Sequence, residues 1–301
     1  MSYTMAGQRI DDDVRQASGW VIALVIGVGP LLAILANQVI IPRHWTVPIS
    51  HATGGLVSGN IQYNLVVLLL EVGCVMIWAG HLRLSDIGLR GRSLWPAVLS
   101  TLALWSLLNI GVAAWWLLQG QPLTPDPSWT KPSATAGKLI GQLFGNALVE
   151  EVIFRGFLTV QLLILFRRFG RVAAVAGGII TAQTIFALVH IPMLLRTGMQ
   201  WQQMPSTLTA LFAQGVMLAC IFALTKNLFV AVGAHALNDA VTLIFPSPSR
   251  SDHDFDLSLS GLDVSDACIP LTLLGSIVWW TIMKTRAQPP AHSNSTEHRS
   301  P

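Results

Sequence analysis

The sequence predicts an all-α membrane protein, a polytopic bundle of about eight transmembrane helices. Composition is the first reason: the 301-residue chain is 52% hydrophobic and only 11% charged, and its mean hydropathy is +0.57. These values are far more apolar than those of a typical soluble domain. The second reason is the length of its apolar runs, since a hydrocarbon core about 30 Å thick requires about 20 residues of helix.

Polar breaks divide the apolar sequence into eight runs, each of which we expect to form one helix. We expect a polar N-terminal segment over 1–17, a single transmembrane bundle over 18–285, and a disordered polar tail over 286–301. The first run has no small-residue cleavage site, so it predicts an anchor helix that is retained. In chain order, the runs lie near 18–41, 61–80, 94–118, 139–166, 172–195, 206–225, 227–245 and 267–284.

The positive charges indicate the orientation of the chain. With the N-terminus in the cytoplasm, twelve of the 18 Lys and Arg residues fall on the cytoplasmic side, as the positive-inside rule requires. We therefore expect both termini in the cytoplasm. Topology accounts for the positive charges, so the net charge of +3 does not indicate a nucleic-acid partner. We expect the lipid bilayer as a partner and no nucleic acid. The 3 cysteines lie far apart without C-x-x-C spacing, which indicates neither a disulfide framework nor a thiolate metal site.

The fourth run contains the stretch NALVEEVIFRGFL, with Glu150, Glu151 and Arg155. A charge at the centre of a membrane helix costs about 2.5–3.5 kcal/mol, so these groups need compensating interactions. Glu151 and Arg155 are four residues apart on one helical face, whereas Glu150 is rotated by about 100°. We expect Arg155 to hold one acid while the other faces a cavity. A buried ion pair that only joins two helices is the alternative.

Glu150, Glu151 and Arg155 form a polar island, by which we mean a cluster of polar residues within an apolar run. Two further runs contain such islands. The stretch TAQTIFALVHIP contains Phe186 and His190 one turn apart, and VGAHALNDAV contains His235, Asn238 and Asp239 within about one turn. A single intramembrane histidine is more often a packing residue than a catalyst or ligand. Three islands on three helices favour one common site instead, and small residues at 145–147 and 173–178 predict the close helix packing that would unite them.

Glu71, in the second run, is another carboxylate within an apolar run that could have a functional role. It has no basic residue nearby in the sequence, so we interpret it as a structural or protonated group. Asn109 in the third run is interpreted as a hydrogen-bonding group between helices.

With these islands the sequence resembles the CPBP family of intramembrane proteases, which contains the type II CAAX prenyl endopeptidases and the bacterial immunity-type (Abi) proteins. The family pattern is E-E-x-x-x-R, F-x-x-x-H and H-x-x-x-N or H-x-x-x-D on separate helices. The resemblance covers about 80–245, the expected protease core, and LSDIGLRGRSLWP at 84–96 resembles the lead into that core. The matching residues are Glu150, Glu151 and Arg155, then Phe186 and His190, then His235 and Asp239.

The resemblance implies an intramembrane endopeptidase that acts on a membrane protein or a lipidated peptide, in CAAX-type or bacteriocin and immunity-type processing. Hydrolysis of a peptide bond needs an activated water, an oxyanion stabiliser and a proton for the leaving amine. We expect Glu150 to be the general base and Arg155 to hold Glu151. His190 would position the water or shuttle the proton, and His235 would donate to the oxyanion.

Two mechanisms are possible with these candidate residues. In a metal-free mechanism, Glu150 and His190 activate the water directly. In a zinc mechanism, His190, His235 and a glutamate such as Glu150 bind the metal and leave one position open for water. The H-E-x-x-H helix of many zinc proteases does not occur in the sequence, so three separate helices would have to assemble the metal site.

Asp239 stands where the family often has asparagine. An ionised carboxylate cannot donate a hydrogen bond to an oxyanion, so Asp239 must be protonated, orient His235 or bind a cation, and this slightly favours the metal mechanism. Asn238 is adjacent but points about 100° away.

Two other classes of function remain open. A proton-coupled transporter could use the buried carboxylates and histidines as a relay, although transporters often have matched halves and here the islands cluster in one half. A catalytically inactive membrane scaffold is the other alternative.

Overall fold

The computed structural model of the protein describes residues 14–240, 242–247 and 264–286. Within these ranges the chain is helical and contains no strand, so the all-α prediction is confirmed. Each of the eight apolar runs contains a helix. In chain order they are α1 (Gly19–Ile40), α2 (Gly59–Ala79), α3 (Leu94–Leu118), α4 (132–166), α5 (Arg171–Arg196), α6 (Met204–Thr225), α7 (Leu228–Asp239) and α8 (Cys268–Arg286). A short helix, Val47–Ala52, lies between α1 and α2.

In the described ranges, six helices are long and apolar enough to cross a membrane: α1, α2, α3, α5, α6 and α8. The protein is therefore a polytopic membrane bundle, but a count of eight spanning helices is not confirmed. Helix α4 contains the charged residues Glu150, Glu151 and Arg155, and α7 is only 12 residues long. The predicted run over 227–245 was wrong at its end, because α7 stops at Asp239.

Helix α4 lies at the centre of the bundle. Every residue from Glu151 to Thr159 is buried, because α5, α6, α7 and the turn Leu84–Ile87 pack around this part of the helix. Two π-helical segments, Gln142–Asn146 and Glu151–Thr159, flank one α-helical turn, Ala147–Glu150. Such wider turns often occur at functional sites. The acidic pair therefore lies at a change of helical geometry in the core.

Small residues let neighbouring backbones approach α4 closely. A Cβ at Gly145 would lie 3.2 Å from Cα of Ile61 on α2, and a Cβ at Gly178 of α5 would lie 3.0 Å from the backbone nitrogen of Leu163 on α4. Both glycines belong to the stretches in which the sequence predicts tight packing. That prediction is confirmed at these two positions.

The described end of the N-terminal segment is attached to the bundle. The backbone N–H of Ala17 donates to Oε1 of Gln161 at 2.8 Å, and Nε2 of Gln161 donates to the carbonyl of Arg15 at 3.0 Å. Residues 1–13 of the predicted polar segment lie outside the described residues. The same holds for the predicted polar tail, except that Arg286 still belongs to α8.

Candidate active site

Three helices bring the polar islands together. Glu150 of α4 lies between His190 of α5 and His235 of α7: its Oε1 is 3.8 Å from Nε2 of His190, and its Oε2 is 3.6 Å from Nε2 of His235. The prediction that the fourth, fifth and seventh helices converge on one site is confirmed. Both distances exceed the length of a direct hydrogen bond, so the three groups face a small space between them.

Glu151 anchors the buried side of the site. Its Oε1 lies 3.0 Å from Nη1 of Arg155, and both side chains are 0% exposed. The same oxygen lies 2.9 Å from Nδ1 of His235. Because the carboxylate accepts, Nδ1 of His235 carries a proton, and Nε2 lies 3.6 Å from Oε2 of Glu150. The ion pair was predicted from the sequence, whereas the contact with His235 was missed because it depends on where α7 lies.

A ring and a glycine complete the surroundings of Arg155. Its Cζ lies 4.1 Å from the centroid of the Phe186 ring, in cation–π geometry that is strongest away from water. A Cβ at Gly215 of α6 would come within 3.2 Å of Nη2 of Arg155 and 3.1 Å of Cδ1 of Phe186. Glycine at 215 therefore leaves room for the buried guanidinium. Sequence reasoning missed Gly215, whose only signal is a glycine inside a long apolar helix.

His190 lies where α5 is interrupted. The helix is regular over Arg171–Leu188, makes a turn at Val189 and His190, and continues as Ile191–Arg196. The carbonyl of Phe186 is free of the usual helical bond there, because the N–H of His190 donates to Ala187 instead. Nδ1 of His190 lies 2.8 Å from that carbonyl. A carbonyl can only accept, so Nδ1 carries the proton and the lone pair of Nε2 faces Glu150.

Glu150 and Glu151 differ in their access to solvent. The Glu150 side chain is 17% exposed, whereas that of Glu151 is 0% exposed. One acid is thus enclosed by its partners and the other opens to the space between the two imidazoles. This is the division that the 100° rotation between adjacent residues predicts.

Asp239 lies beside His235 at the partly exposed edge of the site. Its Oδ2 lies 3.3 Å from Nε2 of His235 and 3.5 Å from Nδ2 of Asn146, and the side chain is 26% exposed. Asn238, a predicted site residue, precedes Asp239 at the end of α7. Asp239 and Asn238 also line a polar cavity of about 210 Å³ to which Lys138 contributes. Of the three roles expected for Asp239, contact with His235 is the one that the structure contains. Sequence reasoning did not include Asn146.

Part of the chain matches a known protein family. Residues 132–241 match the model of one family, described as type II CAAX prenyl endopeptidase Rce1-like. This match supports the resemblance to the CPBP intramembrane proteases that the three motifs predict. The match covers just over a third of the 301 residues and contains all three motifs, whereas the segment 80–131 of the expected core lies outside it. Comparisons with curated proteins and with solved structures give no match.

The six long apolar helices and the match to a protease family support a multi-pass membrane protein, for which the expected substrate is a membrane-associated protein. The match is to the CAAX type and does not test the immunity-type (Abi) branch. The orientation of the termini stays a prediction.

The zinc hypothesis for this site rests on His190, His235 and Glu150. Imidazole nitrogens and a carboxylate are ligand types that zinc prefers. In both histidines Nδ1 contacts another protein group, as the second ring nitrogen of a metal-bound histidine usually does. Across the described ranges, however, no three His, Cys, Asp or Glu side chains are arranged to hold an ion. The zinc set therefore stays a hypothesis.

Proposed function

We propose that the protein is an intramembrane endopeptidase that hydrolyses a lipidated, CAAX-type substrate with a water molecule activated by Glu150. The observation that carries the proposal is the position of the Glu150 carboxylate, 3.8 Å from Nε2 of His190 and 3.6 Å from Nε2 of His235. A water oxygen makes hydrogen bonds of about 2.7–2.9 Å. Three groups that face one another over these distances can therefore share one water.

Glu150 and His190 act on the nucleophile. The Glu150 carboxylate accepts a proton from the water, and the oxygen attacks the carbonyl carbon of the peptide bond. His190 is held with its Nδ1 proton on the carbonyl of Phe186, so its Nε2 lone pair accepts the second hydrogen of the water and orients it. The partial exposure of Glu150 supports this role, because the base must be reached by water.

His235 acts on the oxyanion of the tetrahedral intermediate. With both ring nitrogens protonated, Nδ1 donates to Glu151 and Nε2 donates towards the negative oxygen. Arg155 is a positioning residue, since it balances the buried charge of Glu151, which in turn orients His235. When the C–N bond breaks, Glu150 returns its proton to the leaving amine nitrogen. The carboxylate is then restored, and the products are a carboxylic acid and an amine.

The substrate class follows from the matching family, whose description names prenylated CAAX peptides. A prenyl chain partitions into the bilayer, where hydrophobic burial contributes about 0.8 kcal/mol per methylene. The scissile bond of such a peptide would lie near the membrane surface. Asp239 lies 3.3 Å from His235 and also lines the polar cavity, so we expect the peptide and water to enter from this side.

The experiment uses purified protein in proteoliposomes with a farnesylated cysteine peptide that carries three further C-terminal residues. Glu150→Gln and His190→Ala are expected to lower the cleavage rate by about 10³-fold and about 10²-fold, because each removes a group that acts on the water. Glu71→Gln makes the same chemical change at a buried carboxylate elsewhere and is expected to leave cleavage unchanged. Thermal unfolding of each variant checks that it folds.

Other outcomes would overturn the proposal. Cleavage that stops on addition of a chelator and returns with zinc would assign the metal mechanism. Proton flux that disappears in Glu150→Gln, without any proteolysis in the wild type, would assign the transporter class instead. Absence of both proteolysis and proton flux would favour the catalytically inactive membrane scaffold.

A further inference from the structure

The oxyanion position needs more than one hydrogen-bond donor, because peptide-hydrolysing sites commonly aim two or more donors at the developing charge. His235 supplies one donor through Nε2. Asp239, the side chain nearest to that nitrogen at 3.3 Å, cannot supply another while it is ionised. A second donor must come from a different residue.

Two donors converge on a single oxygen at this site. Nε2 of His235 lies 3.3 Å from Oδ2 of Asp239, and Nδ2 of Asn146 lies 3.5 Å from the same atom. That oxygen carries negative charge in the ionised carboxylate, as a tetrahedral oxyanion does. It therefore marks a point at which one imidazole N–H and one amide N–H can stabilise an anionic oxygen together.

Helix α4 sets Asn146 in register with the base. Asn146 lies four residues before Glu150, so the two side chains project from one face of the helix, about one turn apart. The close approach of α2 at Gly145, where a Cβ would be 3.2 Å from Cα of Ile61, restrains this part of α4. A peptide carbonyl lying along α4 would thus present its carbon to the water on Glu150 and its oxygen to Asn146.

We propose that Asn146 is a catalytic residue that donates its side-chain N–H to the oxyanion, next to His235. This assignment rests on the proposed protease function. Oδ2 of Asp239 occupies the position between the two donors. Its contact with Asn146, at 3.5 Å, is at the long limit of a hydrogen bond, so a substrate oxygen replaces it at little cost. Asn238 lies beside Asp239 on α7 and lines the polar cavity.

The test measures kcat and KM for the farnesylated peptide in proteoliposomes. Asn146→Ala is expected to lower kcat by about 10²-fold with little change in KM, as loss of one oxyanion donor does. Asn146→Leu keeps the approximate volume without a donor and is expected to match it, with thermal unfolding as the check on folding. Adding Asp239→Asn to Asn146→Ala is expected to recover at least about 10-fold in kcat, because it places an amide N–H beside the same position.

Three results would overturn the assignment: an unchanged kcat in both Asn146 variants, no recovery in the double variant, or an equal loss in Asn238→Ala. Glu150→Gln in the same assay separates this failure from failure of the proposed function. If Glu150→Gln is inactive and the Asn146 variants are as fast as wild type, only the role of Asn146 is wrong. If Glu150→Gln cleaves as fast as wild type, the protease mechanism itself is wrong.

Discussion

Two buried carboxylates, on α2 and α4, have the same exposure and very different surroundings. Glu71 and Glu151 are both 0% exposed. Glu151 contacts Arg155 at 3.0 Å and His235 at 2.9 Å. Neither oxygen of Glu71 has a hydrogen-bond partner among the described residues, and its neighbour on α1 is Gly29, where a Cβ would lie 3.1 Å from Oε1.

The difference shows that burial alone does not make a carboxylate functional. An ionised group without partners is extremely costly in an apolar interior, so an unpaired acid is held there in its neutral form. A paired acid can remain charged and orient other groups. Glu71 therefore fills space between two helices, whereas Glu151 joins Arg155 and His235 in the candidate active site. Three substitutions test this contrast.

Arg155→Met is expected to have the largest effect. It leaves the charge of Glu151 buried without its main partner, which typically costs about 3–5 kcal/mol of stability. Thermal unfolding in detergent measures the loss. The double variant Arg155→Met/Glu151→Met is expected to regain most of the stability but not the cleavage activity, because His235 is no longer oriented. A stable Arg155→Met protein would mean that Glu151 is neutral, like Glu71.

Glu151→Gln is expected to have an intermediate effect on activity. The amide oxygen can still accept from Nδ1 of His235, but the negative charge that supports the protonated ring is lost. Removal of such an outer partner typically costs about 10–100-fold. The cleavage rate in proteoliposomes measures this loss, with Glu71→Gln as the matched substitution. Equal rates in the two variants would abolish the functional distinction between the two acids.

Glu71→Met is expected to have the smallest effect, a gain of up to about 1 kcal/mol in stability. It replaces two buried polar atoms that lack partners with an apolar side chain of similar length. Thermal unfolding detects the gain, and the cleavage rate should not change. A clear destabilisation would show instead that Glu71 has a partner on which the bundle depends.

The sequence predicted the features that depend on neighbours along the chain. Each apolar run predicted a helix that the structure contains, because a segment in lipid must satisfy its own backbone hydrogen bonds. The four-residue spacing predicted the ion pair of Glu151 and Arg155, and the lack of a nearby cation predicted that Glu71 has no charged partner. The end of α7 was wrong, since a periodic pattern alone does not mark where a helix stops.

The contacts between helices could not be predicted in the same way. The sequence could not reveal that Glu151 holds His235, that Gly215 makes room for Arg155, or that Asn146 faces Asp239. Each contact joins residues that are far apart along the chain, so it depends on the depth and rotation of whole helices. Those are set by packing at small residues such as Gly145 and Gly178.

The sequence by itself determined that the protein is a helical membrane bundle and which side chains are too polar for lipid to leave without partners. Only the tertiary structure decided which of those side chains meet. The physical reason is that transfer into lipid depends on the composition of each segment, whereas hydrogen bonds and ion pairs depend on distances of a few ångströms between segments.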